Sequence, residues 1–145
     1  MAIVGEFMRR ALVRVGLMLL ALGEGLPTLW AAIDPLGFYL GFPTPSRHWI
    51  TLFPPYNEHL VRDFGLVALQ FAVILAYASF RPERRLVRVA ALSSLVFNVP
   101  HLIYHQRHVI PMSDVAAQVT SQVLPIVIAL AVLALNEASP RRSPS

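Results

Sequence analysis

Four apolar stretches constrain the fold of this chain more than any other feature. A helix needs about 20 mostly apolar residues to cross the hydrocarbon core of a bilayer. Stretches of that length occupy residues 11–33, 60–80, 86–105 and 115–135. The chain has only 145 residues, of which 14% are charged, so one small bundle uses nearly all of it. The sequence therefore predicts an all-α fold, a four-helix transmembrane bundle that forms a single domain over residues 1–138.

The arginines predict the orientation of these spans. Every basic residue is Arg, and nine of the twelve flank the same ends of the four spans. The positive-inside rule then places both termini in the cytoplasm and the loop of residues 34–57 outside, in a multi-pass protein of the cell membrane. Residues 139–145 read as a disordered cytoplasmic tail. The nine inner arginines are Arg9, Arg10, Arg14, Arg81, Arg84, Arg85, Arg88, Arg141 and Arg142.

The start of the chain has a second interpretation. Basic residues followed by a short apolar run and the small residues Ala31 and Ala32 are also typical of a secretory signal. Glu24 and Pro27 interrupt that run, so we expect the first span to remain as an anchor. The outer loop is rich in Pro, Trp and Tyr, which favours a short segment lying at the membrane interface.

Composition excludes two kinds of function. The chain has no Cys, which removes disulfides, thiolate ligands and redox thiols. Its pI of about 10.3 suggests nucleic acid as a partner. The arginines instead flank apolar spans, and no motif of aromatic and basic residues for RNA or DNA is present. The expected surroundings are the lipid bilayer, with no nucleic acid.

Polar side chains recur at helical spacing in all four spans. Residues three, four and seven positions apart share one face of a helix. Because buried polar groups in a membrane must satisfy one another, we expect these stripes to converge in the outer half of the bundle as a pocket. The stripes are Glu24 and Thr28; His59, Asp63, Gln70 and Tyr77, with Glu58 and Arg62 beside them; Ser94, Asn98, His101, His105 and His108; and Asp114, Gln118, Ser121 and Gln122.

Two kinds of chemistry fit these residues. His101 and His105 form an HxxxH pair that could ligate a metal such as iron, zinc or copper, with His59 and Asp63 completing the site. Alternatively, a His beside Asp63 or Glu58 could move protons on a lipid-soluble molecule such as a quinone, as in a membrane oxidoreductase or isomerase. A third interpretation makes the histidines structural hydrogen-bonding groups.

A bound molecule is expected to contact further polar side chains of the same pocket. For Arg62, an ion pair with Glu58 is favoured over an anion clamp. Glu24 is the lone acid of its span and is either protonated, paired with Arg62 or His101, or lining the cavity. The expected ligand-binding residues are Glu24, Arg62, Asn98, Tyr104, Gln118 and Gln122.

A rival hypothesis removes catalysis altogether. The chain could be an accessory subunit or assembly factor of a larger membrane complex, for example a respiratory one, or a homo-oligomer. Its polar stripes would then bind partner helices, and Gly16, Gly23 and Gly25 could form the contact face of the first span.

Two motifs carry a resemblance to a group of proteins. Tyr56-Asn57-Glu58-His59 with Arg62, Asp63 and Gly65 opens the second span, and Pro100-His101 with Tyr104-His105 closes the third. The chain resembles small four-span membrane proteins of actinobacteria that share YNEHxxRDxG and PHxxYH segments, mainly over residues 47–114. Its architecture is more distantly similar to DoxX-like membrane proteins, some of which are tied to quinone or thiosulfate redox chemistry. The resemblance implies no established activity; it implies that Glu58, His59, Arg62, Asp63, His101 and His105 belong to one site.

Overall fold

The computed structural model describes residues 2–107 and 114–138. His108 and the tail of residues 139–145, for which the sequence makes predictions, lie outside the described residues. The described chain contains four helices that are long and apolar enough to cross a membrane. The elements are α1 (Ala2–Ile33), α2 (Pro35–Gly41), a 3-10 turn (Ile50–Leu52), α3 (Glu58–Phe80), α4 (Arg84–Arg107) and α5 (Val115–Glu137).

The helices α1, α3, α4 and α5 confirm the predicted four-helix bundle, and one boundary differs by more than two residues. α1 begins at Ala2, nine residues before the predicted start at residue 11, so Arg9 and Arg10 lie on the helix. Hydropathy marks only the apolar part of a helix, whereas Glu6 and Arg10 form an ion pair one turn apart that suits a helix in water. With 32 residues, α1 is about 48 Å long and exceeds the roughly 30 Å hydrocarbon core.

Side-chain caps and prolines define the outer loop. The Asp34 carboxylate accepts a hydrogen bond from the Gly37 backbone at 3.0 Å, and Pro35 occupies the first turn of α2, where a missing N–H costs nothing. Asn57 caps α3 in the same way through the Leu60 backbone at 3.1 Å. The caps therefore define where α2 and α3 begin, and the loop between α1 and α3 contains one short helix.

Small residues set the packing of the bundle. α1 packs most extensively on α3, while α5 packs on α4 and on α1. A Cβ added to Gly65 would lie 2.6 Å from the Ala32 nitrogen and 2.7 Å from the Thr28 oxygen, so the backbones of α1 and α3 touch there. Close approach through small residues is the usual way in which membrane helices associate.

The apolar core fills the inner half of the bundle, and most other apolar side chains point outward. Leu17, Leu75 and Val87 are completely buried or nearly so. Many large apolar residues on every span are exposed, which suits a surface in contact with lipid tails. The composition and the exposed surface agree that this is a multi-pass membrane protein.

Candidate functional site

A carboxyl group with two neutral hydrogen-bond donors lies at the centre of the bundle. The Ser94 hydroxyl donates to Glu24 Oε1 at 2.5 Å, and the Asn98 amide donates to the same oxygen at 2.9 Å. Asn98 is held in place by further bonds to the Ser94 carbonyl oxygen (2.9 Å) and hydroxyl (3.1 Å). The structure thus joins the predicted stripes of the first and third spans, and Glu24 pairs with neither Arg62 nor His101.

Two glutamines of α5 are buried as well. Gln118 and Gln122 are 8% and 9% exposed, and Gln122 Oε1 has no hydrogen-bond partner in the described part of the chain. The Asn136 amide donates to the Arg84 carbonyl oxygen at 3.0 Å, which sets the antiparallel register of α4 and α5. Asn98 follows Arg84 by 14 residues and Gln122 precedes Asn136 by 14 residues, so the two side chains lie at the same depth.

The bounds of the helices indicate how far these groups lie from each end of the bundle. Glu24 lies ten residues after Arg14 and ten residues before Asp34, the charged groups at the two ends of the apolar part of α1. At 1.5 Å per residue, about 15 Å of helix separates the carboxyl from each end. On α4 and α5 the same groups lie nearer the end that carries the loop of residues 34–57, because Asn98 precedes Arg107 by 9 residues and Gln122 follows Val115 by 7.

The two histidines of α4 belong to a column of rings near the end of the bundle that carries the loop of residues 34–57. The His101 ring stacks on Phe97 (centroids 5.1 Å apart, planes at 20°) and meets the His105 ring edge to face at 4.5 Å. Phe64 of α3 extends the column at one end and Phe53 of the outer loop at the other, at 6.2 Å from Phe97 and 5.8 Å from His105. We call these five residues the aromatic column. Tyr104 meets His105 edge to face at 5.8 Å.

His101 is the least satisfied polar group of the column. Its side chain is half-buried, and no group within residues 2–107 or 114–138 forms a hydrogen bond to its ring nitrogens. Imidazole nitrogens can donate or accept a proton, so this ring can form a hydrogen bond directly with a bound molecule.

A lipid-facing groove begins where the aromatic column ends. The groove lies between α3 and α4, is open on one side, has a volume of about 460 Å³, and has almost entirely apolar walls. Phe97 belongs both to the groove and to the column, so an apolar chain in the groove would end next to the His101 ring. The groove is lined by Phe71, Val89, Leu92, Ser93, Val96 and Phe97.

The polar stripe of α3 does not face the pocket. His59, Asp63, Gln70 and Tyr77 are all exposed, and His59 pairs with Asp63 of its own helix at 3.3 Å, with side-chain exposures of 87% and 53%. The expectation that this stripe faces the bundle centre is contradicted by these exposures. The face that packs inward carries small residues instead, namely Gly65, Ala72, Ala78 and Ser79.

Glu58 and Arg62 form the expected ion pair, but at the outer rim. Arg62 donates to Glu58 Oε1 at 2.8 Å and to the Ala32 carbonyl oxygen at 2.6 Å, which ties the start of α3 to the end of α1. In the described residues, no group of three or more His, Asp or Glu side chains is close enough to hold a metal ion. The structure therefore does not bring His59 and Asp63 to His101 and His105.

Polar periodicity did not single out several side chains of this region, namely Phe97, Phe64, Phe53, Trp49 and Arg47. Phe97 stacks on His101 from four residues earlier, and that spacing was the available signal. Trp49 donates from Nε1 to Asp114 at 3.1 Å, and Arg47 forms an ion pair with the same carboxylate at 3.3 Å. These contacts link the outer loop to the start of α5. Trp49 and Asp114 are 65 positions apart in the sequence, so no local sequence pattern could predict the contact.

Comparisons of the chain with protein-family models, curated proteins and solved structures found no match. The resemblance suggested by the two sequence motifs stays a prediction.

Proposed function

We propose that this membrane protein binds a small lipid-soluble molecule with a polar ring, such as a quinone. Its apolar chain would lie in the groove between α3 and α4, and its ring would lie against His101. The observation that carries the proposal is the continuity of an apolar groove with a half-buried histidine that lacks a hydrogen-bond partner in the described residues. Such sites typically combine apolar walls with a few well-placed polar groups.

The ring contacts support a planar polar group at this position. Phe97 and His101 lie nearly parallel, and the exposed edge of such a stack offers an aromatic face and an imidazole nitrogen together. His105, 4.5 Å from His101, can share or relay a proton at the outer end. This geometry supports acid–base chemistry by His101 and His105, in which the imidazoles donate to or accept from an oxygen of the bound ring.

The metal-assisted form of this proposal can be tested directly by metal analysis. Metal content of the purified protein is compared with that of the double variant His101→Ala/His105→Ala. Iron, zinc or copper present in the wild type at stoichiometric amounts and lost from the variant would favour metal over acid–base chemistry.

The binding proposal is tested by the lipid content of purified protein and by titration of a short-chain quinone in nanodiscs. His101→Ala removes the hydrogen bond to the ring and is expected to weaken binding about tenfold. His59→Ala is the matched control. It also removes a histidine, but one that lies on the exposed face of α3. Equal affinity in wild type, His101→Ala and a groove-filling Val96→Trp variant would refute the proposal.

The rival function as an accessory subunit receives less support from the glycines that suggested it. Gly16 packs against Val132 of α5 and Gly25 against Ala72 of α3, so both serve contacts inside the bundle. Gly23 alone of the three has open space around it. A partner subunit that co-purifies stoichiometrically with wild type and with His101→Ala alike would favour this rival.

A further inference from the structure

The groove between α3 and α4 has the length of the acyl-chain region of one bilayer leaflet. On α4 its walls extend from Val89 to Phe97, and eight residues of helix rise by about 12 Å. Half of a hydrocarbon core of roughly 30 Å is about 15 Å. Val89 follows Arg84, the first residue of α4, by only five residues. The groove therefore has its near end close to the rim where α3 ends and α4 begins.

The walls of the groove offer an occupant no free hydroxyl group. Ser93 lines the groove, but its Oγ donates to the Val89 carbonyl oxygen of the same helix at 2.9 Å. The other lining side chains are apolar and exposed, and Val96 is 76% exposed. An occupant of this groove is therefore an apolar chain, and any polar group that it carries lies beyond an end of the groove.

An arginine continues the face of α4 that lines the groove. Arg85 precedes Val89 by four residues, Leu92 by seven and Val96 by eleven, so the four side chains share one face of the helix. Long side chains on a helix lean toward its N-terminus, which directs Arg85 away from the groove and toward the rim. Arg81 follows the last residue of α3 in the turn between the two helices. Both arginines therefore lie at the near end of the groove.

Arg81 and Arg85 have no anionic partner in the protein. Within residues 2–107 and 114–138, neither side chain forms an ion pair or a hydrogen bond, and both residues are exposed. Arg84 and Arg88 belong to a different face of α4 and bind Glu137. The two arginines at the groove are thus available to an anion from outside the chain, and guanidinium groups bind phosphate through paired N–H donors.

The distribution of charge indicates which leaflet supplies this anion. Residues 81–88 carry four arginines and one acid, Glu83. Toward the opposite end of α4, Arg107 lies ten residues beyond Phe97, or about 15 Å along the helix. Arg62 of α3 already holds an ion pair. A lipid whose chain fills the groove therefore meets unpaired arginines close by only at the near end, which the positive-inside rule assigns to the cytoplasmic leaflet.

We infer that the groove binds an anionic phospholipid, with one acyl chain between α3 and α4 and the phosphate on Arg81 and Arg85. Basic residues beside clefts between membrane helices are a common way of holding anionic headgroups. The inference does not rest on the proposed function, because its polar contacts are these two arginines and not His101. The ligand of the proposed function would use the same groove, so the phospholipid occupies the groove when that ligand is absent.

Native mass spectrometry of the purified protein in detergent tests this inference. The protein is titrated with phosphatidylglycerol or with phosphatidylcholine that carries identical acyl chains. We expect about twentyfold tighter binding of phosphatidylglycerol, since each arginine near an anionic headgroup contributes about fivefold. The double variant Arg81→Gln/Arg85→Gln should lose this preference. Arg10→Gln/Arg14→Gln is the matched control, because it removes two exposed arginines from α1, which does not line the groove.

A second pair of variants tests the acyl-chain site. Val89→Trp fills the near end of the groove and should weaken binding of both lipids about tenfold, the effect of removing about two methylene groups from an apolar site. Val127→Trp makes the same change on the exposed face of α5, outside the groove, and should have no effect. His101→Ala should keep the preference for phosphatidylglycerol, so this inference and the proposed function can fail separately.

Three results would overturn the inference. They are equal affinity of the wild type for the two lipids, an unchanged preference in Arg81→Gln/Arg85→Gln, and an unchanged affinity for phosphatidylglycerol in Val89→Trp.

Discussion

At the scale of single residues, this protein concentrates its polar interactions on one carboxyl oxygen. Glu24 Oε1 accepts from both Ser94 and Asn98, and Asn98 also holds the Ser94 carbonyl and hydroxyl oxygens. Each neutral hydrogen bond contributes about 1 kcal/mol, but a buried acceptor left without its donor costs more. Asn98 has the most partners in this cluster, because the two hydrogens of its amide group are shared among three oxygen atoms within hydrogen-bond distance.

Asn98→Ala should therefore destabilise the protein by about 1–3 kcal/mol, since it leaves Glu24 with a single donor. Thermal unfolding in detergent, followed by circular dichroism, measures the effect. Gln106→Ala is the control, because it removes an exposed amide from the same helix. Equal unfolding temperatures for the two variants would show that Asn98 contributes nothing to stability.

At the scale of helices, backbone contact between α1 and α3 organises the bundle. Gly65 brings the α3 backbone against Thr28 and Ala32 of α1, and Gly25 lies near Ala72 lower on the same interface. The Arg62 guanidinium closes this interface at the outer rim by donating to the Ala32 carbonyl oxygen. The pair α1–α3 is thus held by small residues along its length and by one long side chain at its end.

Gly65→Ala should cost about 1–3 kcal/mol, because the added methyl group would collide with backbone atoms that cannot move independently. Gly23→Ala makes the same chemical change on α1, where nothing lies within 4 Å of the new Cβ, and is expected to be neutral or slightly stabilising. Unfolding midpoints of both variants in the same detergent give the comparison. A Gly65→Ala protein as stable as Gly23→Ala would contradict the close approach.

The helices also show which inferences a sequence permits. Hydropathy alone predicted the four spans, because membrane thickness imposes helix length. Polar periodicity correctly predicted that Glu24 faces the stripe of Ser94 and Asn98. It wrongly predicted that His59 and Asp63 face the centre of the bundle, since both are exposed. In a lipid-exposed helix apolar residues surround the whole circumference, so polarity cannot identify the inward face. On α3 that face is marked by small residues such as Gly65 and Ala72, which a polarity pattern overlooks.

At the scale of the whole molecule, different polar contacts hold the helices together at the two ends of the bundle. Arg84 and Arg88 bind Glu137 at 2.6 Å and 2.5 Å, and Arg9 donates to the Leu135 carbonyl oxygen at 3.1 Å. The predicted cytoplasmic end therefore joins α1, α4 and α5 through arginines that also satisfy the last turn of α5. At the opposite end, the outer loop meets α5 through Asp114.

The predicted orientation can be tested with single cysteines, because the chain has no Cys of its own. In intact cells, Ser46→Cys in the outer loop should react with a membrane-impermeant maleimide. Arg85→Cys in the turn between α3 and α4 should react only after the membrane is permeabilised. Reaction of Arg85→Cys in intact cells, with Ser46→Cys protected, would reverse the topology.

The contacts of the outer loop make their own prediction for the assembled protein. Asp114→Ala removes the acceptor of Trp49 and the partner of Arg47 together, so the loop should become more sensitive to proteolysis. Asp63→Ala removes an acid paired only within α3 and serves as the control. Limited proteolysis of reconstituted vesicles compares them, and equal cleavage rates would show that Asp114 does not hold the loop.

The arginine clamp around Glu137 has a mechanical consequence for this molecule. It holds the ends of α4 and α5 together at the predicted cytoplasmic rim, while Arg62 and Asp114 hold α1, α3 and the outer loop at the opposite rim. Because polar contacts close both rims, a lipid-soluble molecule would reach the bundle most directly from the side, through the groove between α3 and α4.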